Sequence, residues 1–202
     1  MDNGFLLLNN VKIPHVNMLA RFSSVDKNTN KYVRPKNAAL LYGTMTWVRS
    51  HIVLDSGSVL ARGVTIATRY CTVRRQFQDR DAKEWEVGEN QVLNYTMVQQ
   101  RLLPLLAATY ALHFTGKGMM DLYAANQEAM KKAGRSAKEK KRGAGPEELD
   151  PVADILSDLH ATSCGLKALS SNTAAEGLEM CRKTCGGHGY SSFSGKIGRA
   201  HV

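Results

Sequence analysis

A chain of 202 residues and 22.2 kDa has room for one ordinary domain and at most part of a second. With 43% hydrophobic and 22% charged residues it can bury a sizeable core, which excludes a disordered chain and a miniprotein. The formal charge of +9 is concentrated in Lys131 to Arg142 (KKAGRSAKEKKR), where the net charge is +6, so a solvated loop accounts for most of it.

Residues 4–13 (GFLLLNNVKI) form a short apolar run closed by Pro14, and Lys31-Tyr32-Val33-Arg34 before Pro35 gives a second strand signal. Two strands do not make an independent sheet, so these read as the remnant of a β domain whose earlier part lies upstream. Met1 is accordingly expected to be an internal methionine. From about Leu40 to Phe77 apolar residues recur at helical spacing (Leu41, Met45, Val48, Ile52, Val59, Val64, Ala67, Cys71), predicting one long helix. Residues 78–93 are polar, contain Gly88 and read as a connector. A second helix is predicted over about 94–132, carrying Leu102, Leu105, Leu106, Tyr110, Phe114 and Met119, with Pro104 kinking it or opening its stronger part. Residues 134–148 lack periodicity and read as a surface loop. Asp150-Pro151 supplies an N-cap and a first-turn proline for a third helix, which carries Val152, Ile155, Leu156, Leu159, Leu166 and Leu169 and ends at Gly186-Gly187. Three helices of roughly 35 residues, each ~50 Å long, predict a mainly α fold: most of a long-helix antiparallel bundle with a short β remnant at its N-terminus.

The strongest local signal is Cys185-Gly186-Gly187-His188-Gly189-Tyr190 after the third helix. Such a loop either caps the helix through glycine or frees backbone N–H groups to meet an anion or a ring. A cation for such an anion is available in Arg74-Arg75-Gln76-Phe77. On a continuing helix Arg74 and Phe77, three residues apart, share a face, and a guanidinium beside an aromatic ring suits a pyrophosphate next to a purine. The plainer reading of Arg74 is a surface charge complementing a helix end. Cys181, Cys185 and His188 fit no common zinc spacing, and no metal site is expected. Neither Thr115-Gly116-Lys117 nor Ser194-Gly195-Lys196 completes a phosphate-binding P-loop, and no G-x-S-x-G elbow occurs. The basic run 131–142 lacks interleaved aromatics, so no nucleic-acid partner is expected. Four cysteines in a chain of this length, without a signal-peptide pattern, are expected as reduced thiols, and Asn94-Tyr95-Thr96 is set aside as a glycosylation sequon. The longest apolar stretches, such as Leu102 to Leu112, fall short of the ~20 residues of a membrane span.

Taken in order, Gly4 to Pro14, Tyr32-Val33-Arg34-Pro35, Leu41-Tyr42-Gly43-Thr44-Met45 with Val48-Arg49-Ser50, Thr65 through Phe77, Leu103 to Phe114 and Cys181 to Tyr190 resemble the acyl-CoA oxidase family. These are the flavoprotein oxidases of peroxisomal fatty-acid β-oxidation, and among them the fungal members are the most similar in detail. The resemblance implies that residues 1–35 end the middle β domain, that 36–202 form an incomplete C-terminal α-helical domain of the acyl-CoA dehydrogenase/oxidase type, and that the cofactor is FAD. It implies that Arg74 and Phe77 contact the flavin pyrophosphate and adenine, that Gln100 assists from the next helix, that Gly186, Gly187 and Gly189 lie along the cofactor, and that Arg49 stands on the substrate side. It further implies a homodimer in which each subunit lends its Arg-x-x-Phe pair to the partner's flavin.

The reaction implied removes a proton from Cα and a hydride from Cβ of an acyl-CoA, giving the trans-2-enoyl thioester, and O2 is reduced to H2O2. The base of such a step must reach the Cα proton while donors polarise the thioester oxygen. In the family that base is a glutamate in a Glu-Gly context downstream of the Gly-rich loop, and it is expected past Val202. No catalytic residue is assigned within the chain, and neither Glu176 nor Glu179 is a candidate. The fragment alone is expected to be inactive. Peroxisomal placement rests on the resemblance, since Ala200-His201-Val202 is not a targeting tripeptide. The alternative expectation is a non-catalytic helical interaction module derived from the same fold.

Overall fold

The computed structural model describes residues 4–20, 23–34, 43–81, 88–139 and 151–191. It divides into two units, Met1–Thr44 and Met45–Val202.

In the first unit β1 (Ser24–Val25) pairs antiparallel with β2 (Tyr32–Val33), with Ser24 opposite Val33. Asp26 closes the hairpin by accepting the Asn28 amide at 2.9 Å and the Thr29 hydroxyl at 2.8 Å, while Asn30 takes the left-handed conformation, φ 54°. The Asn28 N–H, followed by the Thr29 hydroxyl, holds the Asp26 carboxyl below its ordinary value. The strand at Tyr32-Val33 is as expected. The one over 4–13 is not: no ladder partner for it exists among the described residues, and Phe5 and Leu6 stand 96% and 81% exposed. An apolar run with nothing to pair with or cover has no reason to become a strand.

The second unit is built on α1 (Gly43–Val73), α2 (Thr96–Glu139) and α3 (Pro151–Thr184). Pro151 opens α3 as expected, and its Asp150 cap lies outside the described residues. Pro104 sits inside α2 without ending it, and α2 runs on to Glu139 through part of the expected loop at 134–148. The residues there are mostly Ala, Arg, Lys and Glu, good helix formers that outweigh the cost of ~1 kcal/mol at the single Gly134. The rest of that loop lies outside the described residues.

Buried positions on α1 run Thr46, Ser50, Val53, Gly57, Leu60, Val64, Ala67 and Cys71, in alternating steps of four and three. This is the heptad seam of a coiled-coil-like bundle, and α2 repeats it through Leu102, Leu112, Gly116, Met119 and Asn126. The seam departs from the predicted stripe, in which Met45 and Val48 were core, because those two are 53% and 41% exposed. Small polar residues occupy the seam instead. Ser50 and Ser56 bury their hydroxyls by donating back to the carbonyls of Thr46 and Ile52, so neither pays for an unmade hydrogen bond.

Glycines set how close the helices come. A Cβ at Gly57 would lie 2.9 Å from the backbone nitrogen of His113, and one at Gly116 would lie 2.6 Å from Leu54 Cα. These two contacts make α1 and α2 antiparallel. Leu178 reaches the space at Gly63, and Leu60 that at Gly177, each within 2.5 Å of where a Cβ would stand, so α3 runs parallel to α1. The order is therefore up, down, up, the antiparallel bundle expected. One face of α2 stays uncovered: Leu103, Leu106, Tyr110 and Phe114 follow helical spacing at 58%, 43%, 61% and 65% exposure.

Candidate functional site

The candidate cofactor residues converge on the end of the bundle where α1 stops. The Arg74 amide still donates to Tyr70 O at 2.8 Å, the last helical bond, and then the chain leaves the helix. It does so because a better partner is at hand. Residues 74–77 run beside 90–92, with Val92 N donating to Arg74 O (2.9 Å), Gln76 N to Asn90 O (2.9 Å) and Asn90 N to Phe77 O (2.7 Å). Arg74 and Phe77 thus belong to an extended segment, and the expectation that they share a helix face is corrected.

The ladder is reinforced by side chains. Tyr95 Oη donates to Gln76 O at 2.6 Å, Arg75 Nη1 to Glu89 O at 3.1 Å, and Asn90 Nδ2 to Asp79 Oδ1 at 2.8 Å. They hold Phe77 at φ 59°, a conformation that costs a bulky residue about 1–3 kcal/mol. The residue nevertheless stands 69% exposed, and among the described residues no ring contact to Phe77 is found. Arg74 and Gln100 are exposed as well, Gln100 within the second turn of α2.

The Gly-rich loop follows α3 on the same end. Cys185 N closes the helix on Cys181 O (3.3 Å) and Arg182 O (3.2 Å), Gly186 turns left-handed at φ 56°, and Gly186–Gly189 form a short 3-10 turn. Glycine is required at 189, where a Cβ would collide with the Arg182 carbonyl, and among the described residues nothing lies within 4 Å of a Cβ built at Gly187. His188 packs on Tyr70 with ring centroids 5.4 Å apart, and Cys71 Sγ approaches Thr184 O at 3.9 Å. Through Tyr70 the loop and the Arg74–Phe77 segment are tied to one turn of α1. The tying residues Tyr70, Asn90 and Tyr95 escaped sequence reasoning, because their role is a backbone or ring contact made across the connector. A Tyr just before a helix, level with a strand-like segment, was the available signal.

Arg49 lies elsewhere, near the start of α1, half-buried against α3, 3.1 Å from Cys164 Sγ and 3.3 Å from His160 Nδ1. At 1.5 Å per residue the helix carries it about 36 Å from Val73, so Arg49 and Arg74 do not serve one centre within a single chain. Glu179 is engaged by Arg182 through both oxygens at 2.7 and 2.8 Å, which raises the Arg182 guanidinium pKa and leaves the carboxylate poorly placed to act as a base. Cys181 and Cys185 are buried in the core while His188 is exposed; among the described residues no three Cys, His, Asp or Glu converge on a metal. A cleft of about 340 Å³ between α1 and α2, lined by Ser58, Ala61, Thr65, Leu106, Tyr110 and His113 among others, holds none of the candidate residues. Among the described residues no helix is long and apolar enough to cross a membrane.

Residues 42–199 match the family described as Acyl-CoA oxidase, C-alpha1 domain. The chain is 39% identical over 195 residues to peroxisomal acyl-coenzyme A oxidase 1 of Dictyostelium discoideum, covering 96% of this chain and 25% of that protein. Among solved structures, acyl-CoA oxidase 1 of Arabidopsis thaliana matches with a TM-score of 0.71 at 41% identity, over 95% of this chain and 26% of that one. Acyl-CoA oxidase-2 of Caenorhabditis elegans, bound with FAD, ascaroside-CoA and ATP, matches with a TM-score of 0.74 at 33% identity, over 96% of this chain and 27% of that one. The chain spans about a quarter of the length of the curated relatives it matches.

Proposed function

The chain belongs to the acyl-CoA oxidase family, and from that premise we propose that it is part of an FAD-dependent peroxisomal oxidase converting an acyl-CoA to the trans-2-enoyl-CoA, with O2 reduced to H2O2. Residues 1–35 then end the middle β domain and 36–202 belong to the C-terminal helical domain. The observation that carries the reading is Phe77: a bulky residue held left-handed beside a dedicated ladder while it stays largely exposed is strain for which the described residues show no return. A ligand stacking on that ring supplies the return.

The neighbouring residues fit the same group. Arg74 offers a fork of donors to a pyrophosphate, and Phe77 a face to the adenine. Among the described residues nothing lies within 4 Å of a Cβ built at Gly187, so the loop backbone is open there to an approaching group. Gly186 and Gly189 shape the loop, and Gln100 stands exposed near the same end of α2. FAD, when bound, supplies the hydride acceptor. The residues of this chain hold and orient it, and no residue of the chain is assigned the base. Arg49, about 36 Å from the end of α1, takes the substrate side of a different centre, which is the arrangement of a homodimer whose subunits exchange their Arg74–Phe77 segments.

The test is FAD retention and acyl-CoA-dependent peroxide release by the product of the whole reading frame that contains these residues, with Arg74→Ala and Phe77→Ala alongside. Each substitution is expected to weaken FAD binding by about tenfold or more, equivalent to 1.4 kcal/mol. Full FAD retention in both variants would refute the site assignment, and absence of flavin and peroxide from the unaltered protein would favour the interaction module.

A further inference from the structure

Arg49, near the start of α1, meets His160 and Cys164 in the first half of α3, away from the Arg74–Phe77 segment. Arg49 Nη1 lies 3.1 Å from Cys164 Sγ and 3.3 Å from His160 Nδ1. A guanidinium has no acceptor atom, so it donates to both, and the Nδ1 that accepts carries no proton. The proton of the neutral imidazole therefore sits on Nε2, which is 3.9 Å from the same sulfur. Two N–H groups thus converge on one sulfur, and one belongs to a permanent cation. A thiolate formed there has its counter-charge already in contact. Access separates this thiol from the others, because Cys71, Cys181 and Cys185 are buried and Cys164 is partly open.

We propose that Cys164 is a peroxide-reactive thiol activated by Arg49. The thiol proton passes to water, and the sulfur lone pair attacks one oxygen of hydrogen peroxide. The S–O bond forms as the O–O bond breaks, and the leaving hydroxide takes a proton from solvent to become water. The sulfur loses two electrons to the peroxide and is left as a sulfenic acid, which a thiol reductant reverses. The guanidinium donor, already in contact at 3.1 Å, meets the negative charge that develops on the sulfur during attack, and the partly open position admits the oxidant. The oxidant belongs to the class that the proposed oxidase reaction releases, although the reactivity of the thiol does not depend on that reaction.

The experiment treats the purified protein with added hydrogen peroxide in the presence of the sulfenic-acid trap dimedone and quantifies adducts at the four cysteines by mass spectrometry. Cys164 is expected to be trapped at least about tenfold faster than each of the three buried thiols. Arg49→Gln should slow trapping at Cys164 several-fold while leaving the rates at Cys71 and Cys181 unchanged, which separates loss of the cation from loss of the fold; Arg49→Lys should restore part of the rate. Equal trapping at all four thiols, or an Arg49→Gln rate equal to that of the unaltered protein, would overturn the inference. Because the peroxide is added, trapping at Cys164 in the product of the whole reading frame without any acyl-CoA oxidase activity in that product would refute the proposed function and leave this inference standing.

Discussion

Two glycines two residues apart on α2 measure how much the bundle depends on backbone-to-backbone contact. At Gly116 a Cβ would lie 2.6 Å from Leu54 Cα and 3.2 Å from Leu54 N, whereas at Gly118 nothing among the described residues lies within 4 Å. Carbon atoms rest at about 3.5–4.0 Å, so alanine at 116 must push α1 and α2 apart by roughly 1 Å along the seam. Both substitutions gain the same helix propensity, about 1 kcal/mol in favour of alanine. Gly118→Ala should therefore stabilise by about that amount. Gly116→Ala should lose about 1–3 kcal/mol to overpacking, so the two variants should differ by that margin. Urea unfolding followed by helix circular dichroism checks it: with a slope of ~2 kcal/mol/M, a difference of ~2 kcal/mol separates the two midpoints by about 1 M. Equal midpoints would refute the close approach of α1 to α2.

Replacing Phe77 by Asn, which tolerates the left-handed conformation, should stabilise the chain by up to ~1 kcal/mol while weakening FAD retention in the intact oxidase; unfolding midpoints and flavin absorbance read the two effects separately. Asn126, 1% exposed, has a side-chain oxygen without a hydrogen-bond partner among the described residues, so Asn126→Leu should raise stability by about 1–2 kcal/mol, and a lowered urea midpoint would mean that the oxygen is satisfied. Asp26 titrates below its ordinary value in the folded hairpin, so its contribution is fully present above the unfolded-state value near ~3.9 and is lost as pH falls through the lower folded value. The Asn28 and Thr29 amide resonances should hold their positions down to about pH 4 and move only below it, and movement centred above that pH would contradict the assignment.

What the sequence determined by itself was the three long helices, the extent of α1 and α3 to within a few residues, and the family, because these depend on local periodicity, on proline and glycine punctuation, and on words such as the CGGHGY loop that survive in linear order; the end of α2 it set seven residues short. The seam was harder to read. Counting apolar residues placed Met45 and Val48 in the core, while the true seam at that end is Thr46 and Ser50, and the Ser50 hydroxyl donates to the Thr46 carbonyl of its own helix and so buries without penalty. Gly57 and Gly116 likewise carry no hydrophobic signal, yet they set the spacing between α1 and α2. The Arg74–Phe77 segment looked like the continuation of a helix, and only the pairing with residues 90–92 makes it leave one, since a ladder formed across sixteen residues of chain outbids the next helical hydrogen bond. The meeting of Arg49 with His160 and Cys164 was decided wholly by tertiary structure: more than a hundred residues separate the partners, and only the parallel packing of α3 against α1 brings a guanidinium, an imidazole and a thiol to one point.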